Sequence, residues 1–238
     1  MNPRSRVDAQ PAYVLHAYPY RETSLIIDAF SRDYGRIALL ARGARRPRSL
    51  FRGLLLAFQP LEFGWAGRGD VQTLMKAEWL GGQPLLSGRA LFCGYYLNEL
   101  LMHLLPRDDA HARLFSVYAE TLQRFAESAT ESDLRCFERA LLQELGYGPT
   151  LETDVEGLAI DRDTDYIYEL ERGPVRRSAS GPSSLSVSGR TLLDLARQDF
   201  SDPRSLVEAK QLMRALITHH TCGKSLISRR IFRELQEL

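Results

Sequence analysis

The spacing of apolar residues divides the chain into two regions with different periodicities. Up to residue 80, short runs rich in β-branched and aromatic residues alternate with turn residues, a pattern typical of β-strands. Five such runs occupy residues 13–17, 25–30, 36–41, 60–65 and 71–77. Asp33 and Gly35 mark a hairpin turn between the second and third runs. Five short strands in about 70 residues predict a small barrel of the oligonucleotide/oligosaccharide-binding (OB) type.

Beyond Gly81 and Gly82 the apolar period changes from two to about 3.6 residues, which predicts helices. Three helices are expected to end near Leu105, Phe125 and Leu145, followed by helices over 189–198 and 204–220 and a short one from about residue 225. Asp108 and Asp109 are expected to begin the second helix, and Ser132 to cap the third.

An irregular insertion around residues 150–188 interrupts the helical pattern. Residues 164–171 alternate loosely and favour a strand, and the Ser-, Gly- and Pro-rich stretch 176–188 favours a mobile loop. The prediction is an α+β protein with an OB-type barrel domain over 1–80 and a mainly α-helical domain over 81–238.

The overall composition is that of an ordinary globular protein, with 44% apolar and 26% charged residues among 238. Cys93, Cys136 and Cys222 are too few and too scattered for a disulfide framework. The polar, basic N-terminus lacks the apolar segment of a secretory signal, and no apolar run reaches the roughly 20 residues of a membrane span. A cytoplasmic protein without a membrane partner is expected.

Charge is distributed unevenly along the chain, although the formal net charge is only +1. Residues 1–80 hold 12 basic and 7 acidic residues, which favours nucleic-acid contact by this part. The basic residues concentrate between the third and fourth runs. The candidate DNA-binding residues are Arg36, Arg42, Arg45, Arg46, Arg48 and Arg52. Guanidinium groups suit phosphates because they are permanently charged, planar and bidentate.

Aromatic residues next to this cluster extend the hypothesis. Tyr34, Phe51 and Phe58 flank the arginines and are expected to stack on exposed bases, as in single-strand binders. The alternative is a solvated charged loop without a ligand.

Sequence signals for catalysis are weak. The chain has no G-x-S-x-G, P-loop, H-E-x-x-H or paired C-x-x-C motif. His219, His220 and Cys222 are interpreted as a metal-free helix end, because adjacent helical histidines point about 100° apart and chelate one ion poorly. The alternative to a binding protein is a metal-dependent nucleic-acid-processing enzyme. Its candidate ligands are Asp161, Asp163 and Asp165.

A set of segments stands out along the chain, at residues 13–16, 22–25, 34–36, 41–45, 91–105, 135–142, 145–151 and 223–229. In sequence and in order, these segments resemble the RecO-type recombination mediators of bacterial DNA repair. The resemblance implies a non-enzymatic protein that binds single- and double-stranded DNA and anneals complementary strands. It also implies binding to the acidic C-terminal tail of the single-stranded-DNA-binding protein. With RecR, and in some settings RecF, such proteins help to load RecA onto coated DNA, so a nucleoid-associated location is expected.

Individual residues inherit roles from this resemblance. It places the DNA-binding face on Arg36, Arg42, Arg45, Arg46 and Arg48. Arg135, with Arg139 one turn further, would bind the partner's tail, and the alternative is an ordinary arginine on a helix surface. Many relatives carry a four-cysteine zinc site, whose first cysteine aligns here with Asp154, so no zinc or other cofactor is expected. Lys224, Arg229 and Arg230 either extend the DNA surface or only bias the last helix.

Overall fold

Five strands form a closed N-terminal barrel in the computed structural model, which describes residues 6–177, 185–228 and 230–231. The strands are β1 (Arg6–Tyr20), β2 (Ser24–Ser31), β3 (Gly35–Ala41), β4 (Leu61–Ala66) and β5 (Val71–Trp79). They are joined in the order β1-β2-β3-β5-β4, and β4 pairs back onto β1. All pairs are antiparallel except β3 with β5. The predicted five-stranded OB-type barrel is confirmed.

The rest of the described chain is mainly helical, so the α+β class is confirmed as well. The helices are α1 (Gly88–Leu104), α2 (Ala112–Ser128), α3 (Glu131–Glu144), α4 (Gly189–Arg197) and α5 (Pro203–His220). Between α3 and α4, the strands β6 (Asp165–Glu169), β7 (Gly173–Arg176) and β8 (Ser186–Ser188) form a small sheet in the order β7-β6-β8.

Three predicted details differ from the structure. The stretch 176–188 is not a loop at its ends, which belong to β7 and β8, while 178–184 lies outside the described residues. Thr130, not Ser132, caps α3, because the Thr130 hydroxyl accepts a hydrogen bond from the Asp133 amide and the Asp133 carboxylate accepts one from Thr130. Helix α2 begins at Ala112 rather than at Asp108, whose amide donates to the Arg36 carbonyl instead.

Strand β1 is longer than predicted because it serves two neighbours. Its second half pairs with β2, up to Tyr20 opposite Ser24, and its first half pairs with β4, from Arg6 opposite Ala66. The barrel interior is filled by fully buried apolar side chains from all five strands. They include Val14, Ile27, Leu39, Phe63, Trp65 and Leu74.

The protein divides into two compact units. The first contains the described residues up to Ala129 together with those from Leu226, and the second is Thr130–Ser225. The first unit thus holds the barrel, α1 and α2, whereas the sequence-based boundary at residue 80 follows the change of periodicity. No helix in the described ranges is long and apolar enough to cross a membrane.

A buried polar contact joins the barrel to α1 and α2 within the first unit. The Asn98 side-chain amide of α1 donates to the Leu15 carbonyl of β1 at 2.8 Å. The Tyr118 hydroxyl of α2 donates to the Asn98 side-chain oxygen at 2.6 Å. The Tyr118 ring packs edge-on against Tyr13 of β1, 5.2 Å away, and against Phe30 of β2. Apolar packing and hydrogen bonds therefore hold these helices to the strands.

One carboxylate in the second unit forms hydrogen bonds where β8, α4 and α5 meet. Glu208 of α5 accepts hydrogen bonds from the Ser188 amide, the Ser188 and Thr191 hydroxyls, and the Arg204 guanidinium. Burial raises the pKa of Glu208, but these hydrogen bonds outweigh that effect and lower the pKa to about 2. The ionised side chain therefore stabilises the junction of β8, α4 and α5.

Candidate nucleic-acid interface

The basic cluster lies on the connection between β3 and β4, at one end of the barrel. The hairpin register places Ala41, the last residue of β3, opposite Leu25 at the start of β2. Residues 42–52, which follow directly, are called the basic loop below. Its arginines are all exposed. They are Arg42, Arg45, Arg46, Arg48 and Arg52.

Successive tight turns, rather than a helix, build the basic loop. Amides donate to carbonyls three residues earlier, from Arg46 to Gly43 at 3.0 Å and from Ser49 to Arg46 at 3.1 Å. Gly43 has φ +67°, a conformation that costs glycine nothing. The Gly43 amide donates to the Ser24 hydroxyl, and the Arg45 amide donates to the Thr23 carbonyl at 2.8 Å. The loop backbone is therefore anchored to the turn between β1 and β2.

These anchors place the backbone of a further arginine beside the basic loop. Arg21 is exposed in the β1–β2 turn with φ +51°, and its carbonyl accepts a hydrogen bond from the Arg45 guanidinium at 3.4 Å. Sequence reasoning missed Arg21, because 24 residues separate it from Arg45. The sequence signal that could have identified Arg21 was the β1–β2 turn. Because β2 pairs with both β1 and β3, this turn lies beside the start of the basic loop. Among the described residues, Arg42, Arg46 and Arg48 form no ion pair that would occupy their charge.

Arg36 does not belong to this cluster. It stands at the opposite end of β3, six residues or about 20 Å of strand from Arg42. Its side chain is 15% exposed, and its guanidinium lies 4.0 Å from the buried Asp28 carboxylate, which also receives a 2.9 Å hydrogen bond from Arg107. Burial lowers the pKa of Arg36, and the neighbouring Asp28 acts in the opposite direction. Arg36 therefore forms an internal ion pair, away from the basic loop.

The three aromatic residues expected to stack on bases have different surroundings. The prediction is wrong for Phe58, which is 3% exposed and packs against Tyr95, with ring centroids 5.0 Å apart. Phe51 is half-buried against the barrel core. Tyr34 lies in the β2–β3 turn, at the end of the hairpin remote from the basic loop. It is exposed, and its ring packs edge-on against Trp65 of β4.

In the second unit, Arg135 is a buried residue rather than a surface one. Its side chain is 5% exposed and pairs with Glu138 one turn further along α3, whose side chain is fully buried. Among the residues that the structure describes, the buried Arg135 Nε atom has no hydrogen-bond partner. Arg139 is half-buried on the same helix.

Asp161, one of the three candidate metal ligands, is engaged in local contacts. Asp161 accepts from the Asp163 amide at 3.0 Å and from the Thr164 hydroxyl at 2.8 Å, and Arg176 lies 3.4 Å from its carboxylate. These hydrogen bonds lower the pKa of Asp161, led by the one from the Asp163 backbone.

Asp154, the position aligned with the first zinc cysteine of many relatives, is likewise used locally, because it accepts hydrogen bonds from two amides of its own turn. His220 stacks on Tyr147 at 4.4 Å. No group of three or more His, Cys, Asp or Glu side chains suited to a metal occurs in the ranges that the structure describes.

Comparison with known proteins assigns both parts of the chain. Residues 7–83 match the family model for the N-terminal domain of recombination protein O, and residues 85–230 match the model for its C-terminal domain. The chain belongs to the RecO family of DNA repair proteins. The basic loop thus lies in the N-terminal RecO domain, and Arg135 lies in the C-terminal one.

Curated relatives carry the name DNA repair protein RecO. The protein of Dechloromonas aromatica strain RCB is 64% identical over 242 aligned residues that cover all of both chains. The protein of Azoarcus sp. strain BH72 is 54% identical over 240 residues, covering 99% of each chain. The protein of Aromatoleum aromaticum is 53% identical over 241 residues, again covering both chains fully. The similarity to RecO therefore extends over the barrel and the helical part.

Proposed function

We propose that this RecO-family protein is a non-enzymatic mediator that binds the phosphates of single- and double-stranded DNA and anneals complementary strands. The observation that carries the proposal is the basic loop, where five exposed arginines and the neighbouring Arg21 stand on an anchored backbone. Because phosphate contacts carry no sequence information, the protein should bind without base specificity. The predicted set is revised, because Arg36 pairs with Asp28 and Arg21 joins the loop.

The mechanism of annealing is electrostatic. Two complementary strands repel each other through their phosphates, and a dense set of guanidinium groups lowers that repulsion when it contacts both strands. The arginines of the loop are exposed, and the backbone hydrogen bonds that hold the loop limit the entropy lost on binding.

The salt dependence of binding tests this proposal. With about six phosphate contacts, affinity for an oligonucleotide should fall by roughly three orders of magnitude between about 50 and 200 mM salt. The double variant Arg45→Glu and Arg46→Glu should abolish annealing and most of this salt dependence. Arg113→Glu with Arg197→Glu is the matched control, since these exposed arginines lie on α2 and α4 and the charge change is equal. A flat salt response, or equal losses in both double variants, would contradict the proposal.

We further propose that the helical part binds the C-terminal tail of the single-stranded-DNA-binding protein through Arg135 and Arg139. With RecR, and in some settings RecF, the protein would then help RecA to load onto coated DNA. The support is the RecO membership and the placement of both arginines on α3. Because the Arg135 guanidinium already pairs with Glu138, it would act at the base of the tail site, and the less buried Arg139 would be the more accessible contact.

Tail binding should be tested with variants that keep the fold. Arg139→Ala should weaken the affinity for a labelled tail peptide, measured by fluorescence anisotropy, by at least about tenfold, as expected for one charge-assisted hydrogen bond. DNA affinity should stay unchanged. Arg197→Ala serves as the control, because it also removes an arginine from a helix of this unit. Unchanged peptide affinity in Arg139→Ala would remove this residue from the site.

A further inference from the structure

A cavity lies beside the basic loop, and the phosphate contacts proposed above do not by themselves assign a ligand to it. Its volume is about 380 Å³, within the ~300–1,000 Å³ range of small-molecule sites. Its walls are mainly apolar, and two arginines complete them. The residues that matter are Leu25, Ala44, Phe51, Leu55, Arg45 and Arg52.

The apolar walls belong to the barrel core. Ala44 and Leu55 are buried members of that core, and Leu25 and Phe51 pack against it from positions that are only half-buried. Because Ala44 and Leu55 are packed in the barrel core, this apolar part of the wall is already formed in the folded protein. The half-buried Phe51 supplies an aromatic wall.

The two arginines give the cavity a specific polarity. The Arg45 guanidinium donates to the Arg21 carbonyl at 3.4 Å, and the Arg52 guanidinium donates to the Pro47 carbonyl at 3.3 Å. Each guanidinium has five N–H groups, so these single bonds orient the side chain and leave donors for an anion. No acidic residue lines the cavity within the described part of the chain. An apolar recess with cations beside it fits a flat apolar group that carries a phosphate.

We propose that this cavity receives one unstacked nucleobase of single-stranded DNA, with the adjoining phosphate bound by Arg45 and Arg52. The inference rests on the proposed DNA binding and adds a contact that a duplex cannot make, because paired bases stay stacked inside the helix. The cavity therefore favours single strands over duplexes. Bases of any identity have a π-face, so the contact is compatible with binding that ignores sequence.

The decisive measurement compares two ligands of equal charge. Fluorescence anisotropy would report affinities for a short thymidine oligonucleotide and for a strand of the same length whose sugars carry no bases. One well-stacked base should make the thymidine strand bind about tenfold more tightly to the wild-type protein. At high salt the absolute affinities should fall together, while their ratio persists, because the difference does not depend on counterion release.

Variants locate this base-dependent difference. Ala44→Phe fills the cavity and should bring the ratio close to one while retaining affinity for the baseless strand. Leu56→Ala removes an exposed side chain from the cavity wall and should reduce the ratio without threatening the fold. Leu85→Ala is the matched control, since Leu85 is also exposed and does not line the cavity. Thermal unfolding checks each variant, and Leu56→Ala decides if Ala44→Phe does not fold.

The outcomes separate this inference from the proposed function. If both strands bind wild type equally and Arg45→Glu with Arg46→Glu still abolishes binding, the cavity proposal fails and the phosphate contacts stand. If neither strand binds at low salt, the proposed DNA binding itself fails. If a short acidic peptide ending in an aromatic residue binds wild type but not Ala44→Phe, while the ratio is unchanged, the cavity serves a protein partner and the nucleobase proposal is overturned.

Discussion

The hydrogen bond between Tyr118 and Asn98 is expected to be a measurable part of the stability of the first unit. Tyr118→Phe keeps the ring and its packing against Tyr13 and removes only the hydroxyl that donates to Asn98 at 2.6 Å. The Asn98 side-chain oxygen then loses this donor while it stays buried, since Asn98 is 3% exposed. An orphaned buried acceptor costs about 1–3 kcal/mol.

Thermal unfolding followed by circular dichroism measures this loss. At about 2–4 °C per kcal/mol for a chain of this size, Tm should fall by about 2–12 °C. Tyr95→Phe is the control, because Tyr95 is 46% exposed and loses a hydroxyl at a solvent-accessible position. In an Asn98→Ala background, Tyr118→Phe should cost clearly less, because the acceptor is already gone. Equal Tm values for Tyr118→Phe and Tyr95→Phe would refute the argument that this contact holds α2 to α1.

Three further changes test other contacts. Gly35→Ala should lower the free energy of unfolding, measured with urea, by more than about 1 kcal/mol. The added Cβ would lie 1.7 Å from the Asp109 carbonyl oxygen, and the φ of +66° disfavours alanine. An unfolding free energy equal to that of the wild type would contradict this close contact. The stabilisation from ionised Glu208 should be complete above its unfolded pKa of about 4.5 and should be lost as pH falls toward 2. In Glu208→Gln, the free energy of unfolding should therefore depend less on pH between these values than in the wild type. Arg135→Ala should lower the unfolding free energy by about 3–5 kcal/mol, whereas replacing Arg135 and Glu138 together with Met and Leu should cost much less; equal losses would show that the pair is not coupled.

Sequence reasoning succeeded where the signal was local. The strand runs and helical periods depend on residues within a few positions of each other, and they predicted the five-stranded barrel and the helices. The cap of α3 was misplaced by two residues because several polar residues adjoin the helix start. Only the reciprocal bonds of Thr130 and Asp133 distinguish the true cap from Ser132. The assignment of Phe58 as a stacking residue failed because its burial depends on α1, which follows far along the chain.

The arginines show which part of a binding site a sequence can specify. Arg36 was grouped with the loop by proximity in sequence, but the β2–β3 register sets Asp28 opposite Ala38 and therefore diagonal to Arg36 on the same face of the sheet. The hairpin turn that was recognised in the sequence contained the information for this pairing, once its register was fixed.

The presence or absence of a nearby acidic residue distinguishes arginines that form internal ion pairs from arginines whose charge stays available to a ligand. Arg135 has Glu138 three residues later on its helix, a spacing at which side chains meet, and the structure uses that pair internally. The arginines from Arg42 to Arg52 have no acid within the loop and none across the β1–β2 turn except Glu22. A loop held by backbone hydrogen bonds, with its charges left to solvent, gains no folding stability from those charges. The proposed role of these charges is therefore to bind a ligand, and a phosphate backbone would supply the matching charge.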